Sequence, residues 1–148
     1  MKNLFVYNEK GIIINKNSLH RIVAALCKEL DLKIISLEIN IVSSETMLGI
    51  NKKYLNHNYN TDIITFDYSS ERNNLDGEIF ISVDDALENS KKYHVSLNNE
   101  ILRLVIHGIL HMIGYDDVAS AKRKKMKTVE DVLMKKLQKH SKGLVKKI

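Results

Sequence analysis

The sequence predicts an α+β fold: a single domain over residues 1–148, with a small mixed β-sheet packed with helices around one central buried helix. Three observations lead there. Strand-like and helix-like stretches are interspersed without regular βαβ alternation. Leu97 to Ile113 carries apolar residues over most of a helical circumference, the mark of a central helix. The composition, 44% hydrophobic and 28% charged over 148 residues, is ordinary for a globular chain and shows no repeat or linker. A chain of this length buries about two-thirds of its unfolded surface, so it needs neither a disulfide nor a structural metal to fold.

The elements follow in order. FVYNEKGIII reads as one strand or a bent pair. Asn17 or Ser18 can cap a helix running to about Leu30, with Leu19, Ile22, Val23, Leu26 and Leu30 on one face. SLEINIV alternates Leu37, Ile39 and Ile41 with Glu38 and Asn40, the period of a half-buried strand. Ser44 and Glu45 open a second helix through Met47, Leu48 and Leu55. DIITF and GEIFISV are short β-rich runs, the second beginning at Gly77, and YSSERNNLD between them is expected to be a mobile turn. VDDALENSKKY reads as a short helix. Gly114 ends the central helix where a left-handed residue is needed. A last amphipathic helix starts near Ala119, with Met126, Val129, Val132, Leu133 and Leu137 inward and lysines outward.

Composition narrows the setting. Cys27 is the one cysteine, so no internal disulfide is possible; within an apolar helical stripe it reads as a buried thiol in a reducing compartment. No apolar run reaches the roughly 18 residues of a membrane span, and the N-terminal residues lack the pattern of a signal peptide. A cytoplasmic protein with no membrane contact is expected. From Lys122 onward there are eleven Lys and Arg against Glu130 and Asp131, a balance of +9 that leaves −4 of the total +5 for the preceding residues. Such a basic end suits a polyanion through counterion release, or is a solvated helix face running into a frayed lysine tail.

The chemistry is concentrated in VIHGILHMIGYDD. His107 and His111 stand four apart on one helix, so they share a face and their imidazoles can converge on one ion. Gly114 turns the chain, and Asp117 falls where it can fold back as a third ligand. Three ligands leave a fourth position for water, whose pKa the ion lowers toward neutrality. Two desolvated histidines on an apolar helix are otherwise hard to satisfy. In one class of zinc peptidase the residue after the first histidine is a Glu acting as base; here it is Gly108, which weakens that reading.

HGILHMIGYDD resembles the HGxLHxxGYDH signature of the YbeY family, the metal-dependent endoribonucleases also called rRNA maturation factors. LNHNYNTDIITF is similar to the family's LNxxYRxxDxPTDVLSF segment, and DGEIFIS to its GDIxI strand. The resemblance implies an α+β fold with a buried metal-bearing helix and cleavage of single-stranded RNA. It also implies a role in 3′-end maturation of small-subunit ribosomal RNA and in ribosome quality control, with the ribosomal small subunit as partner. His107 and His111 then match the first two zinc ligands, and Asp117 stands at the third-histidine position. Thr61 and Asp62 match the pair leading into the strand beside the site.

Two departures follow. An anionic third ligand lowers the ion's Lewis acidity and makes the site more hospitable to manganese, although Zn2+ remains the expected ion. The family's Arg after Tyr is absent, since Asn60 follows Tyr59; Lys52, Lys53, His57 or Arg103 are the candidates for phosphate contact. Asp62 and Glu78 are candidates for a catalytic base, with Arg103 a third candidate catalytic residue. Asp116 competes with Asp117 as ligand and is read as an outer partner. The nucleophile is either ion-activated water or the neighbouring 2′-OH. The rival readings are a zinc metallopeptidase and a non-catalytic ribosome-assembly factor with a structural metal.

Overall fold

In the computed structural model, which describes residues 2–148, the first apolar run is a bent pair whose halves join different sheets. β1 (Leu4–Asn8) joins a four-stranded sheet, and β2 (Ile13–Ile14) leaves it. α1 spans Lys16–Leu30 and leads into β3 (Lys33–Val42). α2 (Ser44–Leu55) is followed by β4 (Ile63–Asp67) and β5 (Asn74–Ser82). α3 (Val83–Lys92), α4 (Leu97–Met112) and α5 (Ser120–Leu137) complete the helices, and a 3-10 turn at Gln138–His140 leads to β6 (Val145–Lys147).

The main sheet has the order β1-β3-β5-β4, with β1, β3 and β5 parallel and β4 antiparallel on the edge. The mixed sheet and interspersed helices are the α+β architecture the sequence predicts. Register sorts the side chains by face, because successive strand residues point to opposite sides. Val6, Ile39, Ile79 and Thr65 lie side by side across the sheet, and so do Leu4, Leu37, Gly77 and Asp67. This face is packed against α1 and α4, where Leu19, Ile22, Val105 and Ile109 are fully buried. The opposite face carries a smaller cluster of Val42, Met47 and Ile64, with Phe66 and Phe80 packed on it. α4 is the central helix its composition announces: ten of its sixteen residues are buried.

Several boundaries differ from the sequence reading for identifiable reasons. The cap of α1 is Asn15, whose extended backbone lets its side chain accept from the Ser18 amide at 3.1 Å, rather than Asn17 or Ser18. α2 opens at Ser44 as read, with Ser43 before it as the cap. β5 begins at Asn74, ahead of Gly77, so the polar NLD segment is already strand. The turn before it is held by its own side chains: the Ser69 amide donates to Asp67 at 3.0 Å, and Asn74 donates to Glu71 at 2.9 Å.

The inward stripe of α5 is also shifted. Met126, Glu130, Leu133 and Leu137 are its buried residues, whereas Val132 is 49% exposed. A carboxylate therefore occupies one position of the apolar stripe.

The basic end is not a frayed tail. β6 pairs antiparallel with β2, the Asn15 amide donates to the Leu144 carbonyl at 2.7 Å, and Leu144 is fully buried. Truncating a buried leucine costs about 2–5 kcal/mol through lost transfer energy and the cavity left behind. Leu144→Ala is accordingly expected to lower stability by that amount in urea unfolding; a change under about 0.5 kcal/mol would return the segment to the status of a tail.

Candidate metal centre

α4 stops at a Schellman arrangement. Gly114 has φ +105, its amide donates to the His111 carbonyl at 3.1 Å, and the Tyr115 amide donates to Leu110 at 3.0 Å. That reversal carries the chain back across the last turn of the helix. Asp116 then fixes the returning segment, accepting from the Val118 amide at 3.2 Å and pairing with Lys122 at 3.4 Å. Asp117 is thereby aimed at the two histidines, while Asp116 faces its own turn and α5.

The Nε2 atoms of His107 and His111 are 3.1 Å apart, and each is 3.6 Å from Asp117 Oδ2. A triangle with these sides has a centre about 2.0 Å from every corner, the length of a Zn–N or Zn–O bond. Two imidazoles and a carboxylate are a donor set for a first-row transition ion, and these three could hold one with a side open to solvent. Their side chains are 19%, 28% and 43% exposed, so the position is shielded by the helix and reachable from outside. Among the described residues this is the one such grouping of His, Cys, Asp and Glu.

Behind His107 lies a carboxylate that the sequence reading did not find. Glu130, 2% exposed, reaches across from α5 so that its Oε2 lies 2.8 Å from His107 Nδ1. Its Oε1 is 3.4 Å from Arg103 Nη1. Arg103 is in turn clamped by the buried Glu100 through bonds of 2.9 and 2.7 Å. Burial pushes the Glu130 carboxyl up, but the His107 hydrogen bond and the charges of Arg103, His107 and Lys127 together hold it below its ordinary range. The Glu100 hydrogen bonds, against the cost of burial, raise the Arg103 guanidinium further, so it stays charged. The signal available in the sequence was a Glu at position 130 in phase with Met126, Leu133 and Leu137 on a helix face that packs inward.

The remaining candidates separate. Asp62 immediately precedes β4, its Oδ2 accepting from Asn89 at 3.0 Å; Asn89 also donates to Glu100, so Asp62 ends the same polar chain. Arg103, one of the alternatives for phosphate contact, is tied to Glu100 and Glu130, and its side chain stays 27% exposed toward the space that His107 and Asp117 also line. Glu78 is displaced altogether. It is one residue out of phase with Gly77 and Ile79, which face α4, so it stands on the opposite side of the sheet. There it accepts from the Tyr68 hydroxyl at 2.7 Å, which pushes that phenol up to about 12. His57 stacks on Tyr59 and meets its hydroxyl at 2.8 Å.

Two hollows flank the three ligand candidates. A cavity of about 690 Å³ between α4 and α5 is lined by His107 and Asp117 with Arg123, Lys127 and Tyr93. A smaller one, about 170 Å³, is lined by His111 with Asp67, Ser69 and Arg72. The Arg72 guanidinium lies over Gly114, within 3.0 Å of where a Cβ would stand. Arg72 sits in the turn that the sequence reading passed over, and only the tertiary fold brings it to His111.

An α+β fold whose central helix and the turn after it bring three candidate ligands together defines, among the described residues, a protein with a mononuclear candidate metal site. The family model described as Endoribonuclease YbeY matches residues 6–138, and the chain belongs to that family. It is 44% identical over 89 residues to an Endoribonuclease YbeY of Parabacteroides distasonis, covering 60% of this chain and 62% of that protein. With the Chlorobaculum tepidum member it shares 33% identity over 135 residues, 91% of this chain and 98% of that protein. The match thus spans less than two thirds of the first relative and nearly all of the second. A Thermotoga maritima protein solved in solution has the same fold, with a TM-score of 0.64 at 22% identity over 94% of this chain and 95% of that one.

Proposed function

We propose that the chain is a metal-dependent endoribonuclease acting on single-stranded ribosomal precursor RNA, in 3′-end maturation and quality control of the small subunit. The observation that carries this reading is the convergence of His107, His111 and Asp117 at distances that suit one transition ion, in a chain of the YbeY family. Zn2+ is the ion the two imidazoles favour, with manganese admitted by the carboxylate. When bound, the ion acts as a Lewis acid toward a phosphoryl oxygen and activates a nucleophile.

The chain's own residues supply the rest. Arg72 in the small hollow and Arg123 with Lys127 in the large one put cations on either side of the three ligands, along a path that an RNA backbone can follow. Lys122, Lys124 and Lys125 extend that positive surface along exposed positions of α5. Asp62 is half-buried and held by Asn89, so it is suited to positioning the start of β4. Cys27 is a buried free thiol, in keeping with a reducing cytoplasm. Among the described residues no helix is long and apolar enough to cross a membrane.

The peptidase alternative loses its base on two grounds. Gly108 replaces the Glu, and a Cβ there would already stand 3.0 Å from Ile63 and 3.3 Å from both Ile79 and Thr65. The position faces the sheet, with no room for a carboxylate aimed at the ion.

The direct test is cleavage of a single-stranded precursor rRNA 3′ tail, with casein as the counter-substrate. RNA cleavage that stops on chelation and returns with Zn2+ or Mn2+ supports the reading. A folded, metal-replete protein that leaves RNA intact overturns it in favour of a ribosome-assembly factor. Replacing Lys122, Lys124 and Lys125 by Gln is expected to weaken single-strand binding and flatten its log–log salt slope by about 2, at roughly 0.7 per lost phosphate contact. Fluorescence anisotropy between low and moderate salt measures it; an unchanged slope would remove α5 from the RNA path.

A further inference from the structure

We infer that Glu130 is the positioning residue of His107, fixing by its 2.8 Å contact at Nδ1 the tautomer that turns the Nε2 lone pair toward His111 and Asp117. The inference rests on the proposed metal site for its consequence, but its geometry stands alone. A neutral imidazole carries its proton on one nitrogen, and a carboxylate can only accept. The other oxygen of Glu130 faces the Arg103 guanidinium, which can only donate, so the carboxylate is placed between two donors, with the proton on Nδ1 and Nε2 left bare. The bare Nε2 then faces His111 Nε2 at 3.1 Å and Asp117 Oδ2 at 3.6 Å, the atoms with which it would share an ion.

The support behind Glu130 is unusually complete. Arg103 takes its second oxygen, Glu100 grips Arg103 on two nitrogens, and Asn89 joins Glu100 to Asp62. No side-chain polar atom fully buried among the described residues lacks a partner. Elements α5, α4 and α3 and the residue before β4 are therefore linked through charged and amide groups to one imidazole. Carboxylates placed behind a ligating histidine orient the ring and raise its basicity, and their loss commonly costs 10–100-fold in metal affinity. Gln is the informative replacement because it keeps the shape but has only one oxygen. It can accept from His107 or from Arg103, not from both, so it either releases Arg103 or turns an N–H toward Nδ1 and reverses the tautomer.

The experiment has two arms. In metal-free protein near pH 8, about 1.5 units above the ordinary histidine pKa, ¹⁵N NMR of the imidazoles reports the tautomer directly. We expect Nδ1–H for His107 in the wild type and in Glu130→Asp, which keeps an acceptor, and a shift toward Nε2–H in Glu130→Gln. His107 carrying its proton on Nε2 in the wild type overturns the inference without any variant. In the second arm, Zn2+ competition against a chromophoric chelator should show Glu130→Gln weakened 10–100-fold, with circular dichroism reporting an unchanged fold. Equal affinity in wild type and folded Glu130→Gln would make Glu130 a structural group only. A wild type that binds no Zn2+ overturns the proposed metal site, and the NMR arm still decides the role of Glu130.

Discussion

His111→Ala is expected to abolish RNA cleavage and to weaken Zn2+ binding by more than about 10²-fold, beyond the 10–100-fold typical of losing an outer partner. The reason is geometric. His111 contributes one corner of the 3.1, 3.6 and 3.6 Å triangle, and its removal leaves a single imidazole with a partly exposed carboxylate. If the ion lowers the barrier by several kcal/mol, its loss costs about 10³-fold or more in rate, at 1.4 kcal/mol per decade. Asp117→Ala should be milder than His111→Ala, because its side chain is 43% exposed and water can take the vacated place. Asp117→His removes the negative charge and should move metal preference from manganese toward zinc. Competition titrations with both ions on the three variants measure the order. A folded His111→Ala that retains wild-type affinity and cleavage would remove the metal centre from the mechanism.

Gly77→Ala is the substitution expected to damage the fold most. Gly77 lies in β5 between two neighbours, paired with Leu37 on one side and Asp67 on the other. An added Cβ would stand 2.0 Å from the Phe66 carbonyl oxygen and 2.9 Å from Met112 Cε. The methionine tip can move; the carbonyl belongs to the adjacent strand and cannot move without pulling β4 off the sheet. Overpacking of this kind costs about 1–3 kcal/mol when side chains can adjust, and a backbone clash belongs at or beyond the upper end. Urea denaturation should show a loss of about 3 kcal/mol or more. Met112 follows His111 directly, so any protein that folds should also bind Zn2+ more weakly. A loss below about 1 kcal/mol would mean that the edge strand gives way more readily than its pairing suggests.

The parts of the site legible in the sequence were those written within one helical turn and one reversal. His107 and His111 share a face because four residues make about one turn, and Gly114 marks where the chain folds back to bring Asp117 in. Arg72 and Glu130 were not legible, because their proximity depends on tertiary packing of segments 39 and 19 residues from His111. Glu130 left a trace that was misread. Val129 does pack on the core, but assigning Val132 to the inward face of α5 hid the fact that a carboxylate stands in phase with Met126, Leu133 and Leu137. Glu78 failed for the complementary reason: its strand was placed beside the helix correctly, but a period of two sends alternate residues to opposite faces. Strand interiors were recovered better than their ends. Asn74 to Asp76 look like turn residues and are strand because β3 pairs with them.

The pairing of β2 with β6 also bears on how the protein is made. Ile13 pairs with Lys147 and Ile14 with Val145, so the strand that follows the first turn has no partner until more than 130 residues later in the chain. During synthesis, at about 5–20 residues per second, β1, α1 and β3 can associate early while Ile14 waits uncovered. Leu144 and the strand after it then act as a latch, and a ribosome halted shortly before them would carry a nascent chain with its α4 helix made and its core still open.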